Sequence, residues 1–215
     1  MSAPPSIAIV DYGAGNIRSV AKALERSELQ PRVSQDPSEV VAADGVILPG
    51  VGAFRDGMSR LRDLGLDDAI REALERGRPY LGLCLGLQVL FDESDEHGRT
   101  PGFGVLPGRV ERFPDRDVSG DRLRVPQIGW NEVRFSGDHP MLTSLPETDY
   151  FYFVHSYRSV PSEPEQIVGT SDYGGPFAAA VAREGVFAVQ FHPEKSQAAG
   201  KRLLDAYRLW VEDMR

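Results

Sequence analysis

Eleven consecutive residues, Arg78-Pro79-Tyr80-Leu81-Gly82-Leu83-Cys84-Leu85-Gly86-Leu87-Gln88, leave this chain few ways to fold. Residues 80–83 read as a short buried strand and residues 87–91 as the opening of a helix. Cys84 stands between them, with Gly82 two residues before it and Gly86 two after it. That is the G-x-nucleophile-x-G pattern of a sharp strand-to-helix turn. Positions without a β-carbon let the backbone fold tightly, and the side chain between them is pushed into the open. The same turn puts Cys84 at a helix N-terminus, where free N–H groups and the macrodipole favour a thiolate. A cysteine taken alone is more often buried and inert. The flanking glycines make this one a candidate nucleophile.

The stretches before it follow the rhythm of alternating strands and helices. Ile7-Ala8-Ile9-Val10 is a continuous apolar run, as expected of a strand buried on both faces. Asp11-Tyr12-Gly13-Ala14-Gly15 then forms a loop, and Asn16 is expected to cap a helix with Ile17, Val20, Ala21 and Leu24 on one stripe. This loop lacks the third glycine of a dinucleotide-binding G-x-G-x-x-G. A short strand around Arg32 and Val33, a small helix from Pro37 and a buried strand over residues 45–48 follow. That strand runs into Pro49-Gly50-Val51-Gly52-Ala53-Phe54, where glycines mark a close backbone approach. Next to a nucleophile, this segment is expected to hold an oxyanion. Leu61, Leu64, Ile70, Ala73 and Leu74 make helical stripes that Gly77 ends. The expected fold is α/β: a doubly wound, mostly parallel central sheet with helices on both faces.

After Phe91 the rhythm changes. Residues 92–98 form an acidic loop, ordinarily solvated. Residues 103–105, 109–113, 150–154, 166–170, 177–182 and 186–191 read as strands joined by glycine- and proline-rich turns such as Tyr173-Gly174-Gly175-Pro176. They are expected as antiparallel additions to the same sheet. A flexible tail over residues 1–5 and one domain over 6–215 is the expected organisation. Ser196 is expected to cap a last helix whose apolar stripe is Leu203, Leu204, Tyr207, Trp210 and Val211.

The strand over residues 185–191 ends in His192-Pro193-Glu194. In extended chain, residues two apart face the same side, and Pro193 holds His192 in the extended region. Glu194 is thereby placed to orient the imidazole, and His192 to take the proton of Cys84: nucleophile, base and orienter. His97 and His139 lie in polar loops. His155, after an apolar strand, is the one serious rival base, but no carboxylate stands within two residues of it.

Composition narrows the class of function. A formal charge of −8 argues against non-specific nucleic-acid binding. No apolar run approaches the length of about 18 residues that a membrane span needs. One cysteine excludes an internal disulfide and a multi-cysteine metal site. Residues 1–5 lack the basic and apolar regions of a signal peptide. A reducing, cytoplasmic location is expected, with no metal and no cofactor.

These residues resemble the class I glutamine amidotransferases over nearly the whole chain after the tail. The specific pieces are Asp11-Tyr12-Gly13-Ala14-Gly15-Asn16-Ile17, the Pro49 to Phe54 segment, Gly82 to Gln88, Gly129-Trp130-Asn131 and His192-Pro193-Glu194-Lys195-Ser196. Pro-Gly-Val-Gly and Gly-Trp-Asn favour the branch that passes ammonia to a (β/α)8-barrel cyclase forming imidazole glycerol phosphate in histidine biosynthesis. The resemblance implies a heterodimer with that cyclase, and glutamine as substrate. It further implies a Cys84-His192-Glu194 triad that splits the side-chain amide through a glutamyl thioester. Backbone N–H groups of Leu85 and of Val51-Gly52 would hold the oxyanion, and Gln88, Glu96, Ser156 and Tyr157 would bind glutamine. Trp130, Asn131, Tyr152 and Lys195 look like docking and gating positions. The competing expectations are a subunit serving another synthase, a stand-alone γ-glutamyl cysteine hydrolase, and a binding subunit without catalysis.

Overall fold

The computed structural model describes residues 4–13 and 15–215; residues 1–3 of the expected tail and Ala14 of the first loop lie outside the described residues. The first part of the chain runs β1 (Ser6–Val10), α1 (Ile17–Arg26), β2 (Gln30–Ser34), α2 (Pro37–Ala42), β3 (Gly45–Leu48), α3 (Phe54–Asp63), α4 (Leu66–Glu75), β4 (Tyr80–Leu83) and α5 (Leu85–Gln88). Then come β5 (Phe91–Ser94), β6 (Thr100–Pro101), β7 (Leu106–Arg112), β8 (Gln127–Phe135), β9 (Thr148–His155) and β10 (Tyr157–Pro161). The last elements are β11 (Ile167–Asp172), β12 (Pro176–Arg183), β13 (Val186–Val189) and α6 (Gln197–Asp213).

The main sheet has nine strands in the order β2-β1-β3-β4-β13-β12-β11-β8-β9. The first five are parallel, and the remaining four extend it antiparallel. Alternating side chains feed two cores, as the two-residue period requires. Ile7, Ile9, Ile47, Leu81 and Leu83 pack with α1 and α6 on one face. Ala8, Val10, Val46, Leu48 and Tyr80 pack with α2, α3 and α4 on the other. The expected stripe of α6 is buried throughout.

Several local expectations are overturned by bonds from distant residues. Residues 87–91 do not open a long helix: α5 is one turn, and β5 begins at Phe91. The carbonyls of Val89 and Phe91 accept from the amides of Phe103 (2.7 Å) and Gly104 (3.1 Å), so the chain there is held by backbone that returns later. Residues 92–98 are not simply a solvated loop, since Phe91 and Ser94 are buried and β5 pairs with β6 and β7. Residues 103–105 are not a strand; their amides are spent on that turn. β5, β6, β7 and β10 form a separate four-stranded sheet in place of additions to the first. Neither Asn16 nor Ser196 caps its helix with its side chain; both are drawn to the site described below.

Three neighbouring parallel strands, β3, β4 and β13, end on the same edge. Their C-terminal ends carry the Pro49 to Ala53 segment, Cys84 and the His192 segment, so strand order alone gathers them. The approach is close. A β-carbon on Gly86 would lie 1.9 Å from the Leu48 carbonyl oxygen, and one on Gly82 would lie 2.4 Å from that of Gly86. Gly77 has φ +71° but open space around it. We therefore expect Gly86→Ala to cost roughly 3–5 kcal/mol and Gly77→Ala only about 1–2 kcal/mol of left-handed strain. Urea unfolding of both variants would check the contrast, and equal losses would contradict it.

Candidate active site

Cys84 leaves β4 with φ 55° and ψ −101°, a conformation that side chains rarely adopt. Its amide donates to the Val189 carbonyl (2.8 Å), and its carbonyl accepts from Leu87 (3.0 Å) and Gln88 (3.2 Å). The side chain is mostly covered, at 8% exposure. Since α5 is a single turn, little aligned dipole is available to the sulfur. The sulfur instead receives a hydrogen bond from Gln190 Nε2 at 3.5 Å.

His192 follows β13, with φ −107° and ψ 94°, and a single 3-10 turn (Pro193–Lys195) follows it. Its Nδ1 lies 2.8 Å from Glu194 Oε1, and both side chains are buried. Nε2 is buried with no hydrogen-bond partner among the described residues, and Cys84 is near enough to the ring to raise it. Burial by itself drives this imidazole down, but Cys84 and Glu194 overcome burial and hold it up at about 9. The rival His155 is buried too, and burial pushes it down to about 4. Its Nδ1 donates to the Tyr157 carbonyl (2.7 Å), and its Nε2 meets the Gln127 amide (2.9 Å). Both ring nitrogens are taken up by Tyr157 and Gln127, which leaves neither free for Cys84.

Three polar residues that local reading assigned elsewhere or passed over support this pair. Asn16 Nδ2 donates to Glu194 Oε1. Ser196 Oγ donates to the His192 carbonyl (2.7 Å) and accepts from the Tyr152 amide (3.0 Å). Gln190 is fully buried, and its place between the apolar run of β13 and His192 was the available signal.

The remaining expected positions divide. The Leu85 amide and the Pro49 to Gly52 segment do meet, but Leu85 N–H donates to the Gly50 carbonyl at 3.5 Å. In a trans peptide the N–H points opposite to the carbonyl, so the Val51 N–H is turned away from Leu85. Gln88 is buried and donates to the Tyr157 carbonyl (3.1 Å) and Gln190 Oε1 (3.1 Å). Glu96 accepts from the Phe54 amide (2.7 Å), anchoring the start of α3 immediately after the Pro49 to Ala53 segment. The Tyr157 phenol is raised by burial and then by the carboxylates of Glu96 and Asp95. Ser156 is half-buried and accepts from Phe113 through its carbonyl (3.0 Å).

On the outer face of β8 and β9, Trp130 stands opposite Tyr152, with ring centroids 6.2 Å apart. Lys195 Nζ lies 5.9 Å from the Tyr152 ring centre. Trp130, Ile128 and Tyr150 are 47%, 62% and 56% exposed, an uncovered apolar strip on a terminal pair of strands. Asn131 points the other way, its Nδ2 donating to the Asp172 carbonyl (2.7 Å).

The raised imidazole makes stability depend on pH. The folded value of about 9 lies above the ordinary 6.5, so the stabilisation is complete below about pH 6.5 and disappears as pH rises through about 9. Unfolding free energy is expected to fall across that window. Glu194→Gln removes one of the two supports and should flatten the slope in urea unfolding run at a series of pH values; an unchanged slope would contradict the coupling.

The chain matches the family model Glutamine amidotransferase class-I over residues 8–207. It is 49% identical over 210 residues to the imidazole glycerol phosphate synthase subunit HisH of Methylococcus capsulatus, covering 95% of this chain and 96% of the relative. The protein of the same description from Moorella thermoacetica is 51% identical over 198 residues, covering 92% and 91%. Among solved structures, "Structure of PurLQS from Thermotoga maritima" superposes with a TM-score of 0.75 at 21% identity, covering 97% of this chain and 100% of that one, and shows the shared fold. The chain belongs to the class I glutamine amidotransferase family.

Proposed function

We propose that this chain is the glutamine-splitting subunit of an imidazole glycerol phosphate synthase and works by a Cys84-His192-Glu194 triad. The observation that carries this reading is the meeting of three adjacent strand ends, which sets Cys84 against His192 and its buried Glu194 partner. The names and near-full coverage of the relatives support the assignment to that synthase.

Cys84 Sγ attacks the side-chain carbonyl carbon of glutamine, forming a C–S bond and a tetrahedral oxyanion. As the intermediate collapses, the C–N bond breaks and His192 gives its proton to the departing ammonia. His192 then takes a proton from water as its oxygen attacks the thioester carbon; the C–S bond breaks, glutamate leaves, and Cys84 returns as the thiolate beside the protonated His192. Gln88, Glu96, Ser156 and Tyr157 line the place for glutamine; one Glu96 oxygen anchors Phe54, and the other can pair with the substrate ammonium. Ammonia released into water becomes ammonium, which is no nucleophile, so a partner that receives it must dock over the site; the resemblance to the family implies that this partner is a (β/α)8-barrel cyclase, the other half of a heterodimer. The Trp130 and Tyr152 face, with Lys195 beside it, supplies an aromatic docking centre of the kind that dominates interfaces. A reducing cytosol suits a working thiol.

Control is built into the oxyanion segment. The Gly50 carbonyl fills the place that a donor needs, and Val51 resists the reversed peptide that its glycine neighbours would tolerate. Glutaminase activity is expected to be low for the isolated chain and to rise when the cyclase and its ligand are added. Val51→Gly should raise the isolated chain's activity about tenfold or more, toward the 100- to 1000-fold value of one oxyanion donor. Cys84→Ser should abolish both turnover and labelling by a diazo-oxo glutamine mimic. Full activity without the cyclase would favour a stand-alone hydrolase, and absence of labelling would favour a binding subunit. Trp130→Ala is expected to weaken cyclase binding by about tenfold or more, read by titration calorimetry.

A further inference from the structure

Within that reading of Cys84 as the nucleophile, we propose that Gln190 is a further working residue, whose side-chain amide donates to the Cys84 sulfur and stabilises it as the thiolate. The orientation of this amide follows from its neighbours. The Tyr157 carbonyl can only accept, so the end of Gln88 that lies 3.1 Å from it is the NH2 end. That NH2 group is also 3.1 Å from the Gln190 side chain, which must present its oxygen there. The opposite end of Gln190, its NH2 group, is left 3.5 Å from Cys84 Sγ. A chain of three amide and carbonyl groups thus fixes which way the last one points. Gln190 is fully buried and Gln88 nearly so, and in such surroundings a hydrogen bond to a charged acceptor is strong.

The sulfur needs this donor because its other sources of positive potential are limited. α5 has only four residues, and the Leu85 amide is turned to Gly50. The titratable groups facing Cys84 are His192 from the end of β13 and Tyr12 from the loop after β1, with Glu194 behind the first and Arg60 behind the second. Of these, only the imidazolium bears a positive charge directly against the sulfur. Gln190 adds a fixed donor that does not titrate.

The test uses the full chain, in which Cys84 is the one cysteine, so iodoacetamide reports on it alone. Gln190→Met keeps the length of the side chain and removes the donor. The pH midpoint of alkylation is expected to rise by about one unit, with roughly tenfold slower reaction at neutral pH. A folded Gln190→Met with the unsubstituted midpoint would overturn the proposal. In the unsubstituted chain labelled with 15N-glutamine, the Gln190 side-chain amide signals should shift with pH at the Cys84 midpoint and stay flat in Cys84→Ser. Signals that ignore the thiol would overturn it equally, whether or not the variant folds. Glutamine turnover with the cyclase separates the two readings: its absence beside a moved alkylation profile counts against amide splitting alone, and its presence beside an unmoved profile counts against Gln190 alone.

Discussion

Two absent β-carbons hold the site open. Gly86 brings its backbone against the Leu48 carbonyl and Gly82 brings its own against Gly86, at separations that no side chain fits. Through these contacts β3, β4 and the single turn of α5 become one rigid body. Cys84 is then forced into its unusual backbone conformation and is held there by bonds to Val189, Leu87 and Gln88. Strain of this kind persists only where the surroundings over-determine it. Here they consist of two fully buried cores pressed on either side of the same strands.

Electrostatics follows from that packing. Glu194 would be costly to bury alone, and it is buried between the imidazole of His192 and the amide of Asn16. The imidazole then carries its proton well above the ordinary range although burial opposes it. The backbone of the same segment is tied outward, with the His192 amide donating to the Tyr152 carbonyl (2.9 Å) and Ser196 joining both strands. Tyr152 belongs to the exposed face with Trp130, so whatever covers that face also bears on the strand that holds the base.

Short apolar runs between glycines were legible as parallel strands because burial on both faces leaves no alternation to confuse them: β3 and β4 lie on the residues expected. The second half was less legible. β8 holds Gly129, Trp130 and Asn131 yet carries no unbroken apolar run, because one side of it faces outward. β5 hid in an acidic stretch, since Phe91 and Ser94 turn inward while Asp92 stays exposed. Asn16 and Ser196 sit at helix starts and have the side chains of caps, but a buried carboxylate and a free carbonyl compete better for them than exposed helix amides do.

The residues alone determined that a cysteine would stand on a glycine-flanked bend, a matter of steric rules a few residues long, and that a carboxylate would follow a histidine across one proline; the extended geometry expected there is replaced by a 3-10 turn over Pro193–Lys195, which still brings Glu194 to the imidazole. Only the tertiary structure decided that these two features meet, since adjacency of β4 and β13 joins residues over a hundred positions apart. It also decided which amides face the sulfur, and that the Gly50 carbonyl, not a donor, is turned toward Leu85. Hydrogen-bond direction at a buried site is set by every neighbour at once, and no short stretch of chain contains those neighbours.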